Sequence, residues 1–438
     1  MTPKPTGPPD GGWGWVVAAA GFAVNGLSYG VLRSLGLAFP DFAEYFDRNA
    51  QETAWVSALA LAVQQAASPV GSALSTRWGA RPVVMVGGVL TSLGFVFSAF
   101  AHSLLHLYLG LGVLAGSGWA LVFAPALGTV SRYFSRRRVL AVGLALMGNG
   151  ASSLLLAPAL QLLLDNFGWR GALLLLGAVT LHLTPCGALL RPLALPGDPL
   201  ALPRSPLAAL GLGLFRRPAF LVLTLGTALV GVGYFIPYVH LAPHALDRGL
   251  GGYGAALVVA AAAVGDIGAR LPCGWLADQG WVPLPRLLTI FGALTGLGLL
   301  AVGLSWGGPL LAAAGVYGLS AGSFAPLTFC VLPELVGIGN VVQATGLVML
   351  LLSLGLLGPP LSGFLKDETG DFTASFLMCG SFVLSGSFIY LGLPKALPSC
   401  RQASRPGTPP PEMGELLPVP QVALLSPGDP HSTLDTTC

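Results

Sequence analysis

Long apolar stretches recur along this 438-residue chain, and short polar segments separate them. An α-helix needs about 20 apolar residues to cross the hydrocarbon core of a membrane. The pattern predicts twelve such helices, at about 14–36, 54–75, 82–102, 105–131, 139–163, 170–191, 218–241, 254–277, 286–305, 308–332, 341–364 and 373–394. We therefore expect an all-α membrane protein.

The polar segments divide the chain into five predicted parts. A short N-terminal segment, 1–13, precedes a six-helix bundle over 14–191. A loop containing proline and arginine, 192–217, leads to a second six-helix bundle over 218–394. The remaining residues, 395–438, are rich in proline, which is typical of a disordered tail.

The composition agrees with a membrane protein and argues against other classes. Hydrophobic residues make up 54% of the chain and charged residues only 9%, whereas soluble proteins average about 25% charged residues. The six cysteines show neither a CxxC pattern nor Cys/His ligand spacing, so we expect no disulfide framework and no metal site. We find no nucleophile–base pair or phosphate loop that would indicate an enzyme, and no sign of nucleic-acid binding.

The distribution of positive charge predicts the orientation in the membrane. The two termini and the even-numbered loops hold 15 lysine and arginine residues, whereas the odd-numbered loops hold four. Positively charged loops stay preferentially in the cytosol. We therefore expect both termini to be cytosolic, which requires an even number of spans.

An internal repeat relates the two halves of the chain. The segment GSALSTRWGARPVV follows helix 2, and GWLADQGWVPLPRLL follows helix 8, six helices later. A second pair of similar segments spans helices 5 and 6 and helices 11 and 12. Two six-helix halves repeated in parallel orientation are typical of major facilitator transporters, in which the substrate path runs between the halves.

Two motifs make the resemblance more specific. DGGWGW begins at Asp10, and YFSRRRVLAVGLALMGNG begins at Tyr133 and opens helix 5. Both resemble signatures of the monocarboxylate transporter family, and the resemblance covers roughly residues 8 to 395. The residues themselves also have structural interpretations: Asp10 can cap a helix start, and the neighbouring tryptophans can anchor a span at the membrane surface.

Apart from arginines at the first or last position of a span, only three charged side chains lie inside the predicted spans, namely Arg33, Asp266 and Arg270. Asp266 and Arg270 share one face of helix 8 at spacing i, i+4 and can pair. A carboxylate substrate would compete with Asp266 for the guanidinium of Arg270. Protonation of Asp266 would then free Arg270, so that proton and anion load together. A static pair that only stabilises packing is the alternative. The resemblance agrees with the first interpretation, because the family's Asp/Arg pair on helix 8 falls on Asp266 and Arg270.

Four further residues are candidates for substrate contact. Arg33 in helix 1 can attract anions or simply extend to the membrane surface. Proton-coupled members of the family that the chain resembles carry lysine at this position. Arginine cannot release a proton as lysine can, so Arg33 is not expected to carry the transported proton. Tyr29, one turn earlier, can bind a substrate oxygen or pack. Asn149 can line the path or bridge helices. Ser323 belongs to a run of small residues in helix 10 that either widens the cavity or packs closely.

The expected function is proton-coupled symport of short monocarboxylates such as pyruvate or lactate, with no cofactor beyond protons. The alternatives are a proton-independent facilitator of another organic acid and a non-transporting receptor or scaffold. The resemblance also implies a single-span glycoprotein partner of the basigin or embigin type. We expect residence in the plasma membrane, or alternatively in the endoplasmic reticulum.

Overall fold

A computed structural model describes residues 8–195, 198 and 206–393, and all regular structure in this part of the chain is helical. The first half contains six helical rods: α1 is Trp13–Phe46, α2 is Ala50–Ala66 continued by Ser68–Trp78, α3 is Ala80–Ala99, α4 is Leu104–Tyr133, and α5 (138–167) and α6 (169–189) together form Arg138–Leu189. The second half contains another six: α7 is Pro218–Tyr234 continued by Ile236–Asp247, α8 is Gly252–Asp278, α9 is Leu284–Leu304, α10 is Gly308–Val336, α11 is Ile338–Thr369 and α12 is Thr373–Gly392.

The described residues bear out the prediction of twelve helices, with corrected bounds. Nine segments are long and apolar enough to cross a membrane, and one of these, Arg138–Leu189, contains two helices. They meet at Gly168, whose φ of 63° is open to glycine at little cost. Two shorter apolar helices, Trp55–Ala66 and Pro218–Tyr234, complete the set.

Helix α1 is longer and less regular than predicted. Its last segment, Phe39–Phe46, lies beyond the expected end at residue 36 and buries Phe42 against the ring of Trp169, 5.5 Å away. Before it, a π-helical turn at Gly26–Gly30 interrupts the α-helix. Single π-helical turns are frequent at functional sites, and this one carries Tyr29.

Between the two halves, the loop predicted at 192–217 is described only in part. It contains a short helix at Pro206–Ala209 and a 3-10 turn at Leu212–Arg216. The tail predicted to be disordered, 395–438, lies outside the described residues.

The halves touch at the end of the bundle that the charge bias predicts to face the cytosol. There the carboxylate of Asp278, at the end of α8, accepts hydrogen bonds from the backbone amides of Val139 (3.0 Å) and Leu140 (2.9 Å) at the start of α5. Helix N-termini hold free amide protons and favour negative charge. Asp278 therefore links the second half to the first.

The DGGWGW motif stabilises the same region from the other side. One carboxylate oxygen of Asp10 accepts hydrogen bonds from the amides of Ser135 and Arg136, both at 2.7 Å, in the loop that leads into α5. Trp13 donates its indole N–H to the carbonyl oxygen of Leu189 at 3.1 Å. Asp10 thus caps the approach to α5, far along the sequence, and not the helix that it precedes.

Candidate functional site

A cavity lies between the two halves and is lined by both of them. Its volume is about 90 Å³, within a larger space of about 730 Å³ that includes open solvent. Four of the six predicted site residues line it: Tyr29, Arg33, Asn149 and Arg270. The fold therefore brings residues from α1, α5 and α8 to one place.

Asp266 and Arg270 form a buried ion pair in the middle of α8. One guanidinium nitrogen of Arg270, Nη2, donates to both carboxylate oxygens of Asp266, at 3.1 and 2.9 Å. The side chains are only 4% (Arg270) and 10% (Asp266) exposed. The predicted pair is present, and its charges are removed from bulk water, where an unpaired ion would be costly.

Close packing between α8 and α10 explains this burial. A Cβ atom on Gly322 of α10 would lie 2.7 Å from the Cα and carbonyl carbon of Asp266. Gly318, one turn earlier, faces Ala262 just as closely. Small residues of this kind allow membrane helices to approach, so α10 fixes the backbone that carries Asp266.

The ion pair with Asp266 uses only one of the three guanidinium nitrogens of Arg270. Its Nε and Nη1 atoms are buried and have no hydrogen-bond partner among the described residues. A carboxylate can bind a guanidinium bidentately through Nη1 and Nη2 or through Nε and Nη2. Both arrangements use Nη2, which Asp266 occupies. Asp266 already neutralises the guanidinium, so a second carboxylate binds strongly at these nitrogens only after Asp266 releases Nη2.

Tyr29 and Arg33 occupy the α1 wall of the cavity. The Tyr29 ring packs edge-on against Phe123 of α4, with ring centroids 5.4 Å apart. Arg33 is exposed and follows Tyr29 by one turn. The cavity is therefore lined by two guanidinium groups that come from two different helices.

Ser323 is not among the described residues that line this cavity. Its hydroxyl donates to the carbonyl oxygen of Leu319 at 2.9 Å, and it borders a separate groove between α8, α9 and α10 with Gly268 and Leu294. Gly322, the neighbour of Ser323, packs closely against α8. This contact supports the interpretation that the small residues of helix α10 serve packing. That Ser323 contacts substrate stays a prediction.

Several cavity residues escaped prediction. Phe123 of α4 and Phe329 of α10 meet edge-on at a centroid distance of 6.1 Å, and Met349 and Leu352 of α11 line the same space. These are apolar residues in apolar helices, so nothing in the sequence distinguishes them from packing residues. Within the described ranges, no cluster of three His, Cys, Asp or Glu side chains is arranged to hold a metal.

Comparisons with known proteins agree with this arrangement. Residues 18–310 match the Major Facilitator Superfamily. Monocarboxylate transporter 11 of Homo sapiens is 83% identical over an alignment of 447 positions that covers 100% of this chain and 95% of that protein. The chain belongs to the monocarboxylate transporter family. Monocarboxylate transporter 13 of Bos taurus, another relative, is 49% identical over 88% of this chain and 91% of its own length.

Solved structures show the same fold at low sequence identity. The fucose:proton symporter of E. coli superposes with a TM-score of 0.68 at 14% identity, covering 87% of this chain and 98% of that one. The human organic anion transporter MFSD10 gives a TM-score of 0.66 at 16% identity, covering 86% and 99%. This monocarboxylate transporter family member is therefore a membrane transporter with the twelve-helix major facilitator fold, and not an enzyme.

Proposed function

We propose that the protein is a proton-coupled symporter of monocarboxylates that works by alternating access. The observation that carries this proposal is the occupation of Arg270 Nη2 by both oxygens of Asp266. A substrate carboxylate needs the same nitrogen for bidentate binding. Protonation of Asp266 removes the negative charge that holds its carboxyl group on Arg270.

Charge balance explains why proton and anion move together. With Asp266 ionised, the pair is neutral. With Asp266 protonated and a substrate carboxylate on Arg270, the site is neutral again. For the buried pair and a bound substrate, counted without the exposed Arg33, an anion alone would leave a net negative charge and a proton alone would leave a net positive charge, and either is costly where water is excluded. Both partly loaded states are therefore disfavoured, and the halves exchange access when the site is empty or fully loaded.

Arg33 adds positive charge at the α1 wall but cannot shuttle the transported proton, because an arginine side chain does not release its proton. Its role in this scheme is to attract the anion into the cavity. Asp266 is then the group that binds the transported proton.

The test is uptake of labelled pyruvate and lactate, the expected reference substrates, into proteoliposomes with and without an inward proton gradient. We expect the gradient to accelerate wild-type uptake and Asp266→Asn to abolish this acceleration. Arg270→Lys serves as the matched variant: it keeps the positive charge and lacks the bidentate fork, so uptake should fall at every pH. An Asp266→Asn protein that still couples uptake to protons contradicts the proposed mechanism.

A second candidate is a proton-independent facilitator of another organic acid, favoured by the presence of Arg33 in the cavity. It predicts that a labelled acid equilibrates at the same rate whether or not the gradient is present. A receptor or scaffold, in contrast, would show no flux with any acid. The cytosolic termini, the plasma or endoplasmic reticulum membrane and a partner of the basigin or embigin type remain part of this proposal, on the charge bias and the family resemblance.

A further inference from the structure

A groove lies on the surface of the second half, between α8, α9 and α10. Its volume is about 360 Å³, against about 90 Å³ for the central cavity. Among the described residues, none lines both spaces. The groove is open where α8 lacks a side chain, because a Cβ atom on Gly268 would meet no atom within 4 Å. It is therefore a separate space from the candidate substrate site.

The rim of the groove shows that it opens toward the hydrocarbon of the membrane. Leu294 of α9 and Val316 and Leu319 of α10 border it, and each is exposed on the surface of the bundle. Exposed leucine and valine side chains are stable against lipid tails, which are equally apolar. Whatever fills the groove therefore enters it from the bilayer.

The polar side chains of the lining use their donors within the bundle. The Ser320 hydroxyl donates to the carbonyl oxygen of Tyr317, and the Ser323 hydroxyl donates to that of Leu319, both at 2.9 Å. The sulfur of Cys273 lies 3.9 Å from the carbonyl oxygen of Ser323. These serines keep no hydroxyl proton for a ligand, so the lining favours a hydrocarbon occupant.

The length of the groove matches one leaflet of the bilayer. On α8 its wall extends from Gly268 to Leu276, which is about 12 Å at 1.5 Å per residue. Leu276 lies two residues before Asp278, at the end of α8 that the charge bias predicts to be cytosolic. Half of the hydrocarbon core of a membrane is about 15 Å thick. The groove thus runs from near the cytosolic surface to about the middle of the membrane.

The residues beyond the cytosolic end of the groove are those expected at the level of lipid headgroups. Trp275 and Trp281 are exposed there, and tryptophan is enriched at this level. Arg286, at the start of α9, is exposed as well. It precedes Phe291 of the groove wall by five residues, or about 7.5 Å along the helix. A positive charge at this level attracts anionic lipid headgroups.

We infer that the groove is a binding site for one acyl chain of an anionic phospholipid of the cytosolic leaflet. The headgroup lies near Arg286, and the chain passes Leu276 and ends beside Gly268. This inference rests on the proposed orientation of the termini, and it is independent of the proposed substrate and of proton coupling.

Two other occupants fit the groove less well. A transmembrane helix of a partner protein is about 10 Å wide with its side chains, so it would cover the groove without filling it. A sterol would fill part of it with hydrocarbon, but it carries no charge that Arg286 would attract. A phospholipid uses both the apolar wall and the cation.

The experiment uses photoreactive phospholipids that carry a diazirine near the end of one acyl chain. The full-length protein is reconstituted into phosphatidylcholine vesicles with a trace of the phosphatidylserine or the phosphatidylcholine form of the probe, irradiated and mapped by mass spectrometry of its peptides. The lipid-facing side of α3, with Val86 and Leu93 exposed, is the reference surface. We expect the phosphatidylserine probe to label the groove at least fivefold more than the α3 reference.

Gly268→Leu fills the groove with a side chain of the protein. Labelling of the groove should fall at least fivefold, while labelling of α3 stays the same. Gly363→Leu on α11 is the matched control, because a Cβ atom there also meets no atom within 4 Å, and it should leave groove labelling unchanged. In detergent without added lipid, Gly268→Leu should raise the thermal midpoint, since its side chain covers apolar surface that the lipid chain would otherwise cover.

Arg286→Gln tests the position of the headgroup. In the wild-type protein the phosphatidylserine probe should label the groove about fivefold more than the phosphatidylcholine probe, which is the effect of one basic residue near the membrane surface. Arg286→Gln should remove this preference. Labelling by the phosphatidylcholine probe should stay the same, which separates a lost charge from a misfolded protein.

Several outcomes would overturn the inference. Equal labelling of the groove and of α3 shows only general contact with lipid. Unchanged groove labelling in Gly268→Leu, or a lowered thermal midpoint of this variant, shows that the groove is not the space that the chain occupies. Stronger labelling by a photoreactive sterol than by either phospholipid assigns the groove to a sterol. None of these measurements uses uptake, so the inference and the proposed function can fail separately.

Discussion

The packing of α8 against α10 gives a sharp prediction for Gly322→Ala. The added methyl group would overlap the carbonyl oxygen of Asp266 and would lie 2.7 Å from its Cα and carbonyl carbon, separations that real side chains do not adopt. Ordinary carbon contacts need about 3.5 Å or more, so the two helices would have to separate by roughly 1 Å. Because Asp266 lies at this contact, the ion pair moves with the backbone.

Two consequences have expected magnitudes. Overpacking of a tight interior typically costs about 1–3 kcal/mol of stability. A displacement of about 1 Å at a functional group can lower activity roughly 100-fold. We therefore expect Gly322→Ala to lower the thermal midpoint of the purified protein and to reduce the initial rate of proton-driven uptake by about 10-fold to 100-fold.

Gly315→Ala is the matched control on the same helix. A Cβ at Gly315 would meet nothing within 4 Å, and alanine is the better helix former. This variant should keep its uptake rate and its thermal midpoint. Wild-type uptake and stability in Gly322→Ala, at equal amounts of protein in the membrane, would refute the role assigned to this helix contact.

Three further changes test other parts of the structure. Asp278→Ala removes the acceptor of two amide hydrogen bonds between the halves, each worth about 1.5–3 kcal/mol because the acceptor is charged. Without them the halves should separate more readily at this contact, so the nearby Cys330 should react faster with a small thiol reagent. An unchanged reaction rate argues against this link. Arg170→Lys loses the hydrogen bond to the Tyr45 hydroxyl (2.9 Å) and stacking on its ring, and should lower the thermal midpoint without changing the pH dependence of uptake. Asp10→Ala removes the charged acceptor of the Ser135 and Arg136 amide hydrogen bonds in the loop before α5, each worth about 1.5–3 kcal/mol, and should reduce stability, whereas Asp10→Asn, which keeps an acceptor oxygen, should reduce it less.

The helices were predictable because hydrocarbon length imposes a strong requirement on sequence. The exception is the end of α1, where Phe39–Phe46 contains Asp41 and Glu44. These acidic residues end the apolar stretch, although the segment stays helical by burying Phe42 on one face. A search for continuous apolar stretches does not detect an amphipathic extension of this kind.

The site was predictable where charge made it conspicuous. Asp266 and Arg270 stand out because ionised groups are rare inside membrane helices, and their spacing alone places them on one face. Phe123 and Phe329 do not stand out among the 21 phenylalanines of the chain. Their meeting depends on how α4 and α10 approach across the two halves, which is a property of the tertiary fold.

The junction at Gly168 has a practical consequence for measuring motion. Helices α5 and α6 follow each other through this single non-helical residue, so the tip of the pair contains no flexible linker. At about 1.5 Å per residue, the 30-residue α5 is roughly 45 Å long and exceeds the hydrocarbon thickness of a bilayer. A spectroscopic probe attached near Asn166, at this tip, would therefore report the rigid-body rotation of the first half and not local loop mobility.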